Sequence, residues 1–286
     1  MIKSISKQQK QAKENTVMNT DKISLVVFDW AGTTVDYGSS APMVVFEKVF
    51  AEAGIKLSRS EINGPMGMEK KAHIRSLLLL ETASKQWKEK YGKAWDENDI
   101  EMLYEKFEDT LAKVVAEYSV PIEGVTETVE KLRKMNIKIG STTGYTSEMM
   151  ENVIPRAESA GYSPDCVVTP DITGMGRPSP FMLYECMRLF GVYPAKLVVK
   201  VGDTVTDIAE GKNAGAWSIG ILKGSNLLGL TEYEYNALSA EELAEYKAKA
   251  RQKYLDAGAD MVIDSIGELP NVIEEINRKL ERSADN

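Results

Sequence analysis

Five residues of this chain combine side-chain types and positions that suit phosphoryl chemistry. Asp29 follows the apolar run Ile23-Ser-Leu-Val-Val-Phe28, Thr143 closes Ile137-Lys-Ile-Gly-Ser-Thr142, and Asp203 follows Leu197-Val-Val-Lys-Val-Gly202. Asp207 lies four residues after Asp203, and Arg177 sits in the loop Gly176-Arg-Pro-Ser-Pro180. Hard carboxylate oxygens suit Mg²⁺, while an arginine fork and a threonine hydroxyl suit the oxygens of a phosphoryl group. Taken singly, each has an ordinary explanation. An acid after a strand often caps the next helix, Gly-Asp-Thr is a common turn, and an arginine before proline is often a solvated loop charge. Found in order at the ends of apolar runs they argue for one site, although spacing alone leaves open whether Asp29 is a nucleophile or a metal ligand.

The elements that must position these residues follow from the hydrophobic pattern. The runs ending at Asp29, Thr143 and Asp203, with Cys166-Val-Val-Thr169, read as buried parallel strands; Trp217-Ser-Ile-Gly-Ile221 and Met261-Val-Ile-Asp264 are candidates for further ones. Helical segments separate them. Residues 123–135 place Val125, Val129 and Leu132 at helical spacing, residues 180–190 stop at Gly191, and Ser239-Ala-Glu-Glu242 opens a long helix with a capping box. This alternation predicts an α/β fold with a doubly wound parallel sheet, whose ligands bind at the carboxyl ends of the strands. Between the first and second strands about a hundred residues lack strand pattern. Pro42 at a helix start, the set Val45, Phe46, Val49, Phe50 and Ala53, a capping box at Ser58-Arg-Ser-Glu61, and the stripe Ile100, Leu103, Phe107, Leu111, Val114 and Tyr118 predict helices there. The expected organisation is a core of residues 22–36 and 119–286, an inserted helical cap of residues 37–118, and a disordered tail of residues 1–21, polar and rich in Lys and Gln.

Composition narrows the function classes. The 286 residues carry 35 Lys and Arg against 43 Asp and Glu, a net charge of −8, which argues against a nucleic-acid partner held by a broad basic face. No apolar run approaches the roughly 18 residues that span a bilayer, so no membrane partner is expected. Only two cysteines, Cys166 and Cys186, and one histidine occur, too few for a disulfide framework or a His/Cys metal site, which makes a cytoplasmic setting the expectation.

The segments Phe28-Asp29-Trp-Ala31-Gly-Thr-Thr34, Gly140-Ser-Thr-Thr143-Gly-Tyr145, Gly176-Arg177-Pro and Gly202-Asp203-Thr-Val-Thr-Asp207 resemble the four ordered motifs of the haloacid dehalogenase superfamily. Pro65-Met66-Gly-Met68-Glu-Lys70-Lys-Ala-His73-Ile-Arg75 is similar to the cap motif of its phosphonatase branch, and the likeness runs from about residue 23 to the last helix. That resemblance implies hydrolysis of the C–P bond of phosphonoacetaldehyde, giving acetaldehyde and phosphate, in the breakdown of 2-aminoethylphosphonate. It implies Mg²⁺ as cofactor, held by Asp29, the Ala31 carbonyl and Asp203 with support from Asp207, a small phosphonate as substrate, and a homodimer. Asp29 takes the family's nucleophilic role, Lys70 its Schiff-base role, and Thr143 and Arg177 the phosphonate oxygens. His73, three residues from Lys70, can share its helical face as a third catalytic candidate. Met66 and Met68 offer an apolar wall, Tyr145 can line the pocket, and Lys71, His73 and Arg75 are expected to crowd Lys70 with like charge, favouring its neutral amine. Ala31 stands where superfamily phosphatases usually carry an acid that protonates an oxygen leaving group, and an enamine leaving group needs no such proton. The sequence departs from the family at Ser39-Ser40, where Cys-Phe often precedes Ala-Pro. A Mg²⁺-dependent phosphatase for a small O-phosphate, a halide-displacing hydrolase and a non-catalytic regulator remain the alternatives.

Overall fold

The computed structural model describes residues 21–66 and 68–284; the expected tail lies outside them except for Asp21. Valine- and isoleucine-rich runs form six parallel strands, β1 (Leu25–Phe28), β2 (Lys138–Thr142), β3 (Cys166–Val168), β4 (Val198–Gly202), β5 (Trp217–Ile221) and β6 (Met261–Ile263). Their order is β3-β2-β1-β4-β5-β6, the doubly wound arrangement that the alternating pattern predicts. Phe28 lies opposite Ser141 on one side and Val201 on the other, so Asp29, Thr143 and Asp203 leave the sheet at the same edge. The order reverses between β1 and β4, which opens a crevice beside Asp29 and Asp203.

Five α-helices lie between β1 and residue 118. They are α1 (Ser40–Glu52), α2 (Arg59–Asn63), α3 (Lys70–Leu78), α4 (Glu81–Tyr91) and α5 (Glu97–Val114). Pro42 falls in the first turn of α1, where a missing N–H costs no hydrogen bond. Asp36, just before α1, has φ 54° and accepts hydrogen bonds from the backbone N–H groups of Ser40 (2.8 Å) and Ala41 (3.0 Å). These bonds offset the roughly 1–2 kcal/mol cost of a left-handed conformation at a residue with a Cβ. In α3 the buried positions are Lys70, His73, Ile74, Leu77 and Leu78, one face of a 3.6-residue period. In α5 they are Ile100, Leu103, Phe107 and Leu111; the helix ends at Val114, so the expected stripe stops short and Tyr118 lies in the following turn, partly buried.

Eight helices complete the described chain: α6 (Val125–Lys134), α7 (Ser147–Ser159), α8 (Pro170–Thr173), α9 (Phe181–Phe190), α10 (Val205–Ala214), α11 (Glu232–Ala237), α12 (Ala240–Asp256) and α13 (Leu269–Ala284). The capping boxes expected at Ser58/Glu61 and Ser239/Glu242 both form. Phe46, Ile74 and Phe107 of the insertion join Val26 and Phe28 of the sheet in one continuous apolar core. Truncating fully buried Phe107 to alanine therefore costs roughly 3–5 kcal/mol.

Candidate active site

The carboxyl edge of the sheet carries a buried charge network. Asp29, after β1, receives Arg177 Nη2 on Oδ1 at 2.6 Å. Arg177 Nη1 reaches Asp207 Oδ1 at 2.9 Å and its Nε reaches Glu210 Oε2 at 3.1 Å. Lys200, fully buried in β4, lies 3.0 Å from both Asp207 and Glu210 and donates to Thr142 Oγ1 at 2.8 Å. Burial pushes the Asp29 carboxyl up against the pull of Arg177. Burial pushes Asp203 well above the carboxylate range, reinforced by Asp29 and Asp207. For Asp207 burial also raises the pKa, but Arg177 and Lys200 outweigh it and hold the group below its ordinary value. Burial works against the charge of Arg177, but Asp207, Asp29 and Glu210 outweigh it and raise the guanidinium above its ordinary value.

Oxygens of Asp29, Asp203 and Asp207 lie within 4.8 Å of one another. In the cluster of Asp29, Asp203, Asp207 and Glu210 with Arg177 and Lys200, two negative charges stay uncompensated when all groups are ionised. A hard divalent cation fits both the oxygen donors and that charge. The backbone leaves room for the approach at Gly32, which has φ 87° and where a Cβ would stand 2.1 Å from Asp203 Oδ2. Ser39 Oγ donates to the Ala31 carbonyl at 3.0 Å, so the hydroxyl found at the departure from the family pattern orients the very carbonyl expected to face the metal. Asp207 is also the N3 residue of the capping box with Thr204 that starts α10; its carboxylate turns back toward Asp203, which precedes the helix. The i, i+4 pair thus meets through a cap and not along a helical face.

Lys70 approaches from the insertion, at the first residue of α3. One cleft of about 410 Å³, its open mouth included, is lined by Lys70, Met66 and Met68 on this side and by Asp29, Thr143, Arg177 and Asp203 on the other. Ala31, Ser39 and Tyr145 also line it. The Lys70 ammonium stands 5.8–5.9 Å from the ring centres of Phe46, Phe107 and Tyr145. Burial pushes the Lys70 amine down to about 8, opposed by Asp29 and Glu69 and assisted by Arg177. The expected crowding by its sequence neighbours does not occur. Lys71 and Arg75 lie on the outer face of α3, paired with Glu101 and Glu97, because residues one and five positions on are rotated away from Lys70. Burial, then the charge of Lys70, push His73 down to about 3, so this ring is neutral. His73 is fully buried, stacks on Phe46 with ring centres 3.9 Å apart, and bonds the Ile62 carbonyl through Nε2 at 2.9 Å. A carbonyl only accepts, so the proton is on Nε2 and Nδ1 is an acceptor, buried without a hydrogen-bond partner among the described residues.

The structure therefore brings Asp29, Ala31, Met66, Lys70, Thr143, Tyr145, Arg177 and Asp203 to one cleft, with Asp207 beneath it in the charge network and His73 packed behind Lys70 outside the cleft lining. Thr143 Oγ1 accepts the Tyr145 N–H at 3.1 Å, which leaves its own hydrogen free to donate. Sequence reading missed Thr142, Lys200 and Glu210. A lysine inside an otherwise apolar central strand, and an acid three residues after Asp207 on the same helical face, were the available signals.

A doubly wound parallel sheet with buried aspartates at the β1 and β4 ends, facing a helical insertion, defines a hydrolase of the haloacid dehalogenase class. The family model described as haloacid dehalogenase-like hydrolase matches residues 23–215, and the chain belongs to that family, in its phosphonatase branch. The chain is 45% identical over 258 residues to the phosphonoacetaldehyde hydrolase of Bacillus cereus, covering 90% of this chain and 98% of that one. It is 46% identical over 263 residues to a bifunctional phosphonoacetaldehyde hydrolase/aminoethylphosphonate transaminase of Clostridioides difficile, covering 92% of this chain and 41% of that one. A solved structure of a phosphonoacetaldehyde hydrolase-like protein from Oleispira antarctica superposes with a TM-score of 0.89 at 36% identity, covering 94% of this chain and 97% of that one.

Proposed function

We propose that this protein hydrolyses phosphonoacetaldehyde to acetaldehyde and phosphate. The observation that carries the reading is the buried amine of Lys70, lowered to about 8 and lining one cleft with buried Asp29, with no acid at position 31. The neutral Lys70 amine adds to the aldehyde and, with uptake of one proton from solvent and loss of water, forms an iminium; that proton is returned when the amine is released. Asp29 attacks phosphorus, the C–P bond breaks, and its electron pair passes into the iminium to give an enamine on Lys70. Protonation at carbon and addition of water then release acetaldehyde and restore the amine, while a second water cleaves the aspartyl-phosphate. Thr143 and Arg177 hold the phosphonate oxygens, Met66 and Tyr145 close the apolar side, and His73, the third catalytic candidate, stays neutral behind Lys70 and so brings no second positive charge to the amine. Asp29, the Ala31 carbonyl and Asp203 would hold Mg²⁺, with Asp207 supporting; when bound, the ion supplies positive charge against the phosphoryl oxygens and the carboxylates.

The cap role of the insertion, residues 37–118, is part of this reading: closure over the sheet edge excludes water from Lys70. The fusion named in the Clostridioides difficile relative supports a place after transamination of 2-aminoethylphosphonate. A homodimer is proposed from exposed Phe181 and Tyr184, one turn apart on α9, with exposed Tyr193 beyond its end; light scattering tests it. No helix among the described residues is long and apolar enough to cross a membrane, and a cytoplasmic setting is proposed from the two buried, free cysteines. The deciding experiment supplies phosphonoacetaldehyde and Mg²⁺ and follows both products. Equal release, lost with EDTA and in Lys70→Arg, is the expected result. Hydrolysis of small O-phosphates that survives Lys70→Ala would replace this reading with a phosphatase.

A further inference from the structure

Asn63 ends α2 in the insertion, and Asn226 lies in the loop after β5 in the sheet domain, 163 positions away. The Asn63 side-chain amide donates to the Asn226 carbonyl at 3.0 Å, and the Asn226 side-chain amide donates back to Asn63 Oδ1. Asn226 is only 2% exposed and Asn63 is half-buried, so these bonds are partly shielded from water. The backbone N–H of the same Asn226 donates to Asp203 Oδ2 at 2.8 Å. On the other side, the Asn63 carbonyl accepts the Met66 N–H at 3.1 Å, which starts the short segment leading to Lys70. Gly229 sits against this pair: a Cβ there would lie 3.4 Å from Asn63 Nδ2. A second crossing, Arg59 to Glu234 at 3.7 Å, joins half-exposed side chains and contributes little.

We propose that Asn63 and Asn226 are positioning residues that form a latch, tying the seat of Lys70 in the insertion to the orientation of Asp203 on the sheet. The amide pair is reciprocal, so each partner satisfies a donor and an acceptor of the other. Breaking it leaves polar groups unpaired at the domain seam and frees both the Pro65–Lys70 segment and the Asn226 loop. Because one residue serves both sides, the coupling runs in both directions: a divalent ion on Asp203 favours the seated insertion, and the seated insertion favours the ion. The inference rests on the functional reading above only for its kinetic arm.

The test compares the full chain with Asn63→Ala, Asn226→Ala and Asn63→Asp, which keeps the acceptor and loses the donor. Arg59→Ala is the control that leaves activity unchanged. Three quantities are read: hydrogen exchange of residues 60–72, Mg²⁺ affinity by calorimetry, and borohydride trapping of phosphonoacetaldehyde at Lys70. The alanine variants are expected to exchange faster over residues 60–72, bind Mg²⁺ more weakly, and trap with kcat/KM-like efficiency reduced on the order of tenfold, the loss falling on the concentration dependence more than on the limiting rate. Asn63→Asp is expected to fall between. If the protein traps no aldehyde, the substrate reading fails, yet faster exchange with weaker Mg²⁺ binding still upholds the latch. Exchange and Mg²⁺ affinity equal to those of the parent in both alanine variants would overturn it.

Discussion

The two walls of the cleft handle buried charge in opposite ways. On the sheet side, Asp29, Asp207, Glu210, Arg177 and Lys200 are locked in ion pairs of 2.6–3.1 Å, each cation shared between carboxylates. On the insertion side, no carboxylate among the described residues lies in ion-pair distance of Lys70, which is surrounded by Phe46, Phe107 and Tyr145. Aromatic faces attract the ammonium by roughly 0.5–2 kcal/mol, and burial still lowers the amine to about 8. The difference teaches how one cleft holds both ion-paired charge and an amine shifted toward neutrality: pairing favours charge in the first wall, and burial without a carboxylate partner disfavours it in the second.

Replacing the reactive group of either wall is the largest way to break that comparison. Lys70→Ala and Asp29→Asn are each expected to lower kcat/KM at least about 10³-fold, measured by acetaldehyde release. They separate under borohydride: Asp29→Asn still forms the reduced adduct at Lys70, whereas Lys70→Ala forms none. Next in size is Lys200→Met, which leaves Asp207 and Glu210 facing each other without their shared ammonium. Urea unfolding is expected to show a loss of about 3–5 kcal/mol, the cost of a broken buried pair. By contrast, Lys71→Ala removes a solvent-screened pair with Glu101 on the outer face of the same helix as Lys70 and is expected to cost less than about 0.5 kcal/mol.

The pH dependence of Lys70 sharpens the comparison without a mutation. Its folded pKa is lowered, so about half the amine is free at pH 8, nearly all of it about two units higher, and the free fraction approaches a tenfold fall per unit below pH 7. Trapping rates are expected to show a midpoint near 8 and not near the ordinary 10.5. A midpoint near 10.5 would show that the aromatic wall does not desolvate the amine. A smaller effect than at Lys70, Asp29 or Lys200 is expected at Ser39→Ala, where loss of the 3.0 Å bond to the Ala31 carbonyl weakens Mg²⁺ binding by about 0.5–1.5 kcal/mol, read by calorimetry.

Much of this was legible in the chain itself. Apolar runs followed by Asp29, Thr143 and Asp203 gave the strands and their carboxyl ends, because strand patterning is local and side chains at a strand end must leave the sheet. The stripe 70, 73, 74, 77 and 78 contained the phase of α3, and with it the outward turn of Lys71 and Arg75, although charge alone suggested crowding. Other features had no local trace. Arg177 meets Asp29, Asp207 and Glu210 only because three segments far apart in sequence converge, and Asn63 meets Asn226 across 163 positions. The sequence by itself determined which residues could carry charge, bind an ion or form an imine. The tertiary structure decided which of them keep their protons, since solvation and partners, and not residue type, set the energy of a buried charge.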